Sequence, residues 1–219
     1  RTLTLVVAAA LFMESLTSTV IATSLAAIAA DLQIDPLTLK LAFTAYFVAL
    51  AIFIPISGWC ADRFGAKTVF AAAIGVFTLS SIGCALAWNL PSLVAGRFCQ
   101  GLGGAMMLPV GRLILLRAIP KAEMVSAMAW LGIPTLFAPI LGPPVGGFIT
   151  TYQHWRGIFW LNVPVGLLGL ALALWFVPQV RAADTPPLDW RGFALTGSGL
   201  SLAIFGFTLL GSRSTHPGP

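Results

Sequence analysis

Long apolar runs separated by short polar breaks are the main pattern along this chain. A helix that crosses a bilayer needs about 20 mainly apolar residues, and runs of that kind recur throughout the sequence. They predict membrane-spanning helices at residues 3–30, 38–58, 66–88, 91–116, 122–150, 157–177 and 190–211. The breaks carry charges, prolines and interfacial aromatic residues, as loops at a membrane surface do. The pattern therefore predicts an all-α polytopic membrane protein.

The composition supports this interpretation and removes several other classes. Of the 219 residues, 58% are hydrophobic and only 9% are charged, whereas a soluble domain carries about 25% charged residues. The net charge of +5 is interpreted as the basic bias of cytoplasmic loops, not as nucleic-acid binding. Three cysteines, Cys60, Cys84 and Cys99, show neither even pairing nor metal-ligand spacing. We therefore expect no disulfide framework and no metal site.

The distribution of basic residues predicts the orientation of the chain. An inside amino terminus places eight bases at cytoplasmic ends and three outside, with Arg97 within a span. The cytoplasmic set is Arg1, Arg63, Lys67, Arg112, Arg117, Lys121, Arg181 and Arg191, and the outer set is Lys40, Arg156 and Arg213. This asymmetry predicts a cytoplasmic amino terminus. Because the chain begins at Arg1 instead of Met, we expect it to be part of a longer protein.

Glu14 is the carboxylate that an apolar span should exclude. It lies about 16 Å into the first span, near the middle of the bilayer, and Thr17 and Ser18 share its face by their spacing. A charge within a span is a functional hypothesis by default, and a carboxylate withdrawn from water binds a proton more readily. We expect Glu14 to bind protons beside a polar cavity. The alternative is a glutamate that only hydrogen-bonds across the bundle.

Arg97 is the corresponding base, about 9 Å into the fourth span. Gln100, Gly101 and Gly104 follow on its face, and glycines allow neighbouring helices to approach closely. A buried Arg must find a carboxylate, a carbonyl or water, so it is a second functional candidate. The alternative is an Arg that snorkels to the outer interface. For Arg112, which is closer to the cytoplasmic end, snorkelling is the favoured interpretation.

Two further motifs concern helix packing and the turn between spans. The fifth span contains Gly142-Pro143-Pro144-Val145-Gly146-Gly147, which would disrupt a soluble helix but predicts a kinked membrane helix with a small-residue face. Kinking without a functional role is the alternative. The segment Gly58-Trp59-Cys60-Ala61-Asp62-Arg63-Phe64-Gly65-Ala66-Lys67 is short, charged and glycine-bearing. It predicts a turn loop that ties two spans together at the membrane surface.

These motifs together resemble the major facilitator superfamily, in the order found in the fourteen-span drug:proton antiporters of the EmrB/QacA type. The loop motif is matched at Gly58, Ala61, Asp62, Arg63, Gly65 and Lys67, and the fourth-span motif at Arg97, Gln100, Gly101 and Gly104. The fifth-span motif, typical of exporters, is matched at Gly142, Pro143, Gly146 and Gly147. The first-span motif departs, since the family's usual Asp is Thr17 and its usual Pro is Ala26. Either this departure impairs coupling or Glu14 carries the proton alone.

The resemblance implies an architecture, a multi-pass location in the plasma (inner) membrane and a mechanism. Residues 1–178 would form the amino-terminal six-helix bundle, 179–189 a cytoplasmic linker, and 190–219 a seventh span with the end of the chain. The implied function is proton-coupled multidrug efflux by alternating access, with Glu14 and Arg97 in proton coupling. Thr17, Ser18 and Gln100 would line the substrate cavity, and the loop motif with Asp62 and Arg63 would latch the cytoplasmic side.

The implied partners are protons, a small lipophilic or cationic substrate, the lipid bilayer, and a carboxy-terminal bundle or a second copy. A periplasmic adaptor is a further candidate partner. We expect no enzymatic activity and no cofactor, because the sequence has no nucleophile elbow and no phosphate-binding loop. Two alternatives stay open: a uniporter or importer of a small solute, and a non-transporting membrane fragment or assembly subunit.

Overall fold

The computed structural model describes residues 2–182 and 185–213 of the chain, and in this part all regular structure is helical. The helices are α1 Thr2–Thr23, α2 Leu25–Asp31, α3 Pro36–Phe64, α4 Ala66–Ala85, α5 Leu90–Ala118, α6 Met124–Tyr152, α7 Gly157–Phe176 and α8 Trp190–Arg213. Within the described residues, α1, α3, α4, α5, α6 and α7 are long and apolar enough to cross a membrane. The expectation of an all-α polytopic membrane protein is confirmed, and α8 occupies the predicted seventh span.

The six long helices form two interleaved three-helix units, α1-α3-α4 and α5-α6-α7. Helix α1 packs on α6 and α7 of the other unit, and α5 packs in the same way on α3 and α4. The two third helices, α4 and α7, also pack on each other. The first helix of each unit therefore packs on the second and third helices of the other unit. This exchange is the arrangement expected of an internal repeat.

The core lies where these central helices meet. Val7, Phe70, Phe77, Met107 and Ile114 are fully or almost fully buried within one apolar cluster. In a membrane such packing is stabilised by close van der Waals contact, because lipid is as apolar as the side chains themselves. Helices α1, α4 and α5 therefore pack against one another at this cluster.

The helix starts agree with the polar breaks of the sequence. Asp35 caps α3 by accepting a hydrogen bond from the backbone N–H of Leu37 at 2.8 Å, with Pro36 in the first helical position. Asn89 and Ser92 form a capping box at the start of α5. Caps of this kind satisfy backbone donors that a helix end otherwise leaves unpaired.

The first predicted span, 3–30, is divided into two helices at Ser24, which corrects the expectation of one continuous helix. The hydroxyls of Thr23 and Ser24 both donate back to the carbonyl of Val20, at 2.7 and 3.5 Å. Such side-chain bonds compete with the helical ladder and bend it. The short helix α2 follows and ends at Asp31.

The predicted turn loop at 58–67 is also corrected, because almost all of it is helical. Gly58, Asp62 and Arg63 lie in the last turns of α3, and Lys67 lies in the first turn of α4. Only Gly65 interrupts the helices, with φ of 92°, a conformation that residues with a Cβ rarely adopt. One glycine is therefore sufficient to reverse the chain.

The segment after α7 lies against this turn. The backbone N–H of Ala66 donates to the carbonyl of Val180 at 2.8 Å, and the indole N–H of Trp59 donates to the carbonyl of Pro186 at 3.0 Å. Helix α8 then packs on α3, where the hydroxyls of Thr44 and Thr208 lie 3.4 Å apart. The linker thus contacts both α3 and α4, and α8 packs on α3.

Candidate functional site

The carboxylate of Glu14 is held by hydroxyl groups in the middle of α1. The phenol of Tyr46, on α3, donates to Oε1 at 2.5 Å, and the neighbouring Ser15 donates to Oε2 at 3.3 Å. Glu14 is half-buried, whereas Tyr46 is only 1% exposed. The carboxylate of Glu14 therefore lies at the edge of the buried interior, where it is partly exposed.

Arg97 lies inside the bundle and does not snorkel. The residue is 1% exposed, its Nη1 donates to Oε1 of Gln100 at 2.5 Å, and its guanidinium carbon lies 4.2 Å from the centre of the Tyr46 ring. Stacking on an aromatic face attracts a cation and offsets part of its desolvation. Tyr46 thus contacts both charged groups, the acid through its hydroxyl and the base through its ring.

A chain of buried polar groups extends from Arg97 to α1. Nε2 of Gln100 donates to Oγ of Ser81 at 2.6 Å, and Nδ2 of Asn162 lies 3.5 Å from the same oxygen. Oγ1 of Thr17 lies 2.9 Å from Oδ1 of Asn162. Ser81, Gln100, Asn162 and Thr17 are each at most 3% exposed. Buried polar groups of this kind are stable only when they satisfy one another.

Sequence reasoning identified Glu14, Arg97, Gln100 and Thr17 but missed Tyr46, Ser81 and Asn162 as members of this group. The available signal was the occurrence of polar side chains within apolar spans. Many hydroxyls meet that criterion, however, and spacing along one helix does not show which of them meet across helices. The network joins α1, α3, α4, α5 and α7, so only the tertiary structure assembles it.

The glycines of α5 bring this network together. A Cβ at Gly101 would lie 2.5 Å from the carbonyl oxygen of Tyr46. A Cβ at Gly104 would lie 3.1 Å from the Tyr46 hydroxyl and 3.4 Å from Cγ of Glu14. These two positions therefore require small residues so that α3 and α1 can approach α5.

The predicted cavity residues separate in the structure. Ser18 is half-buried on the surface that also presents Glu14 and Ser15, while Thr17 and Gln100 are buried in the network. This corrects the expectation that Thr17 shares the face of Glu14, because its hydroxyl turns toward α7. A cavity of about 710 Å³ lies elsewhere, beside the start of α1, the end of α5 and the start of α6, with Trp130 and Glu123 in its lining.

The motif at residues 58–67 and the α6 motif make separate contacts. Asp62 forms an ion pair with Arg117 of α5 at 2.8 Å, and Arg63, expected beside Asp62 in the latch, is exposed. In α6, a Cβ at Gly142 would overlap the side chain of Thr19, and one at Gly146 would lie 2.8 Å from the carbonyl oxygen of Val20.

The other two predicted members of the α6 motif do not take part in this packing. A Cβ at Gly147 would meet nothing within 4 Å, and Pro143 is exposed. Helix α6 itself is continuous through its four prolines.

At the opposite end of the bundle, Asp31 joins three segments. Its Oδ2 accepts hydrogen bonds from the indole N–H of Trp155 at 3.0 Å and from Nη1 of Arg156 at 2.8 Å. Arg156 also donates to the carbonyl of Ala87 at 2.8 Å. The hydrogen bond from Trp155, followed by that from Arg156, lowers the pKa of Asp31 below its usual range.

Comparison with known proteins places this geometry in context. The sequence model described as Major Facilitator Superfamily matches residues 7–215. The chain is 43% identical over 216 residues to the probable transport protein HsrA of Haemophilus influenzae, covering 99% of this chain and 46% of that protein. It is 40% identical over 214 residues to the putative multidrug resistance protein MdtD of Cronobacter sakazakii, covering 98% and 45%. The chain thus spans about half the length of these relatives.

Solved structures show the same fold at low sequence identity. A D-xylose-proton symporter superposes with a TM-score of 0.72 at 18% identity, covering 94% of this chain and 54% of that one. A human organic anion transporter superposes with a TM-score of 0.69 at 17% identity, covering 92% and 54%. Similarity at this level of identity concerns the fold alone.

Proposed function

Since the chain belongs to the major facilitator superfamily, a family of transporters, we propose that it is the amino-terminal half of a proton-coupled multidrug efflux transporter. The observation that carries the proposal is the placement of Glu14. This is a membrane carboxylate at the bundle surface, bonded to a buried tyrosine that also contacts a buried arginine. The relatives named as multidrug resistance proteins support export as the direction of transport.

In this mechanism Glu14 exchanges a proton for a lipophilic, often cationic substrate. An ionised Glu14 attracts a cation, and proton uptake from the outside removes that charge and favours release of the substrate. Loss of the proton to the cytoplasm restores the carboxylate. Ser15 and Ser18 supply the remaining polar groups on the same surface, and rocking of two bundles exposes this surface alternately to each side.

The packing motifs supply the moving parts in this proposal. The Asp62–Arg117 ion pair joins the cytoplasmic ends of α3 and α5 and would help to close that side. The close packing of α6 on α1 at Gly142 and Gly146 would let these two helices move together. The proposed setting is the inner membrane with a cytoplasmic amino terminus, and the proposed partner is a carboxy-terminal bundle.

The test is export of ethidium, a lipophilic cation, by the full-length protein in everted membrane vesicles energised by a proton gradient. Wild-type protein should accumulate ethidium, and a protonophore should abolish that accumulation. Glu14→Gln should reduce gradient-driven transport at least about a hundredfold, since a neutral amide neither binds a proton nor attracts a cation.

Glu123→Gln is the matched control, because Glu123 is the chain's other glutamate and is exposed at the cytoplasmic end. It should retain wild-type transport. Unchanged coupling in Glu14→Gln would remove Glu14 from the mechanism. Ethidium movement that ignores the protonophore would instead indicate a uniporter.

A further inference from the structure

We propose that Tyr46 is the residue that couples the protonation state of Glu14 to Arg97. This inference rests on the proposed function, in which Glu14 is the proton-binding group. Tyr46 is a positioning residue in this account: its hydroxyl holds the carboxylate of Glu14, and its ring supports the guanidinium of Arg97.

The contacts of Tyr46 make it the direct link between acid and base. Its hydroxyl lies 2.5 Å from Oε1 of Glu14, and its ring centre lies 4.2 Å from the guanidinium carbon of Arg97. A phenol is a far weaker acid than a carboxylic acid. The phenol therefore keeps its proton and donates a hydrogen bond to an ionised Glu14. A hydrogen bond to a charged acceptor is among the stronger ones in proteins.

Four residues of α5 contact Tyr46, leave space for it or hold Arg97 against it. Arg97 stacks on the ring, and Gln100 holds the Arg97 side chain in that position. Gly101 admits the backbone of Tyr46, and Gly104 leaves the space that the hydroxyl and Glu14 occupy. The spacing of these four residues by three or four places them on one helix face. Each of them thus acts on the position of Tyr46.

Proton uptake changes the contacts of Tyr46 in a defined way. The proton arrives from solution and remains on a carboxyl oxygen of Glu14, so no other covalent bond changes. The charged acceptor of the phenol is then lost, and the protonated carboxyl becomes a donor with the phenol oxygen beside it. The titratable and charged groups facing Glu14 from packed helices are Tyr46 on α3 and Arg97 on α5, since the described spans of α6 and α7 carry no charged side chain.

The first test measures protonation of Glu14 without using any substrate. Infrared difference spectra of the full-length protein in liposomes are recorded against pH, and the band of protonated Glu14 is identified by its loss in Glu14→Gln. Tyr46→Phe keeps the ring but removes the donor that favours the ionised form. We therefore expect the band to persist to a pH roughly one unit or more higher. An unchanged titration would overturn the inference.

Tyr152→Phe is the matched control, because Tyr152 is the chain's only other tyrosine and is exposed at the far end of α6. It should titrate as wild type does. A shift of equal size in this variant would show a general effect of losing a phenol and would also overturn the inference. Size-exclusion profiles confirm that each variant is folded.

The second test uses gradient-driven ethidium export. Tyr46→Phe should be slower by roughly tenfold, and Tyr46→Phe combined with Glu14→Gln should be no slower than Glu14→Gln alone, because the two residues act as one unit. Additive losses in the double variant would overturn the inference. If wild-type protein shows no gradient-driven export, the proposed function fails. The infrared titration uses no substrate, so it still tests the role of Tyr46.

Discussion

At the scale of single residues, the two candidate bases of α5 differ in environment. Arg97 is buried against Tyr46 and Gln100, whereas Arg112 is exposed. Arg97→Ala should lower gradient-driven transport at least about tenfold and also lower the unfolding temperature, because it leaves buried polar groups without their partner. Arg112→Ala should change both quantities little, since an exposed base makes only weak interactions. Equal losses in the two variants would contradict the different roles.

Asp31 allows a prediction about pH, because hydrogen bonds from Trp155 and Arg156 hold its pKa below the usual range. A lowered pKa means that these bonds stabilise the fold at pH values above about 4 and that this contribution is lost as the pH falls through the lowered pKa. Asp31→Asn should therefore lower the unfolding temperature at pH 7. Because the side chain is partly exposed, the change should be only about 1–3 °C.

The difference between wild type and Asp31→Asn should shrink as the pH is lowered below about 4. Asp35→Asn is a suitable control, since asparagine caps a helix as well as aspartate does and Asp35 lies in the same connection. A difference that stays constant across the pH range would show that packing, and not charge, is the contribution of Asp31.

The residues of the candidate site are only partly predictable from sequence. Glu14 and Arg97 are recognisable because charge within an apolar span is rare. Tyr46 is not distinctive by itself, because a single tyrosine in a span is ordinary. Its importance arises from the approach of α1, α3 and α5 at Gly101 and Gly104, and no pattern along one helix specifies that approach.

At the scale of elements, helix periodicity and breakers gave most boundaries correctly. Helices begin at Pro36, Leu90 and Gly157, within two residues of the predicted starts at 38, 91 and 157. The errors are physical in origin. Hydropathy does not detect the break at Ser24, because the helices on both sides of it are mainly apolar. Charge near Asp62 suggests a loop, although the residues stay helical until Gly65.

The contact between α6 and α1 provides a prediction with an internal control. Gly146 and Gly147 are adjacent in one motif, but only a Cβ at Gly146 would strike the backbone of α1. Gly146→Ala should lower the free energy of unfolding by about 1–3 kcal/mol through overpacking and should slow transport. Gly147→Ala should be neutral or slightly stabilising, because alanine favours helix. Thermal unfolding and ethidium export measure both, and equal behaviour of the pair would contradict the proposed packing.

At the scale of the whole molecule, the repeat of two three-helix units explains why the site is built from distant residues. Helix α1 carries the acid and α5 carries the base, and each is the central helix in the packing of the other unit. The network therefore includes residues of both repeats. A rearrangement of one unit relative to the other would change the contacts of Glu14 and Arg97 together, and this is the property that a proton-coupled carrier requires.

The chain spans about half the length of its relatives, and in the proposed function the half-buried residues Glu14 and Ser18 of α1 would line one side of a transport path. We expect the 219 residues expressed alone to insert in the membrane but not to export ethidium, because alternating access needs a second wall that moves against the first. Co-expression with the remaining part of the full-length protein should restore export, and Glu14→Gln in this chain should abolish the restored activity. The measurement is dye accumulation in everted vesicles with and without a protonophore. Protonophore-sensitive export by this chain alone would contradict the expectation and would indicate that two copies pair to form the path.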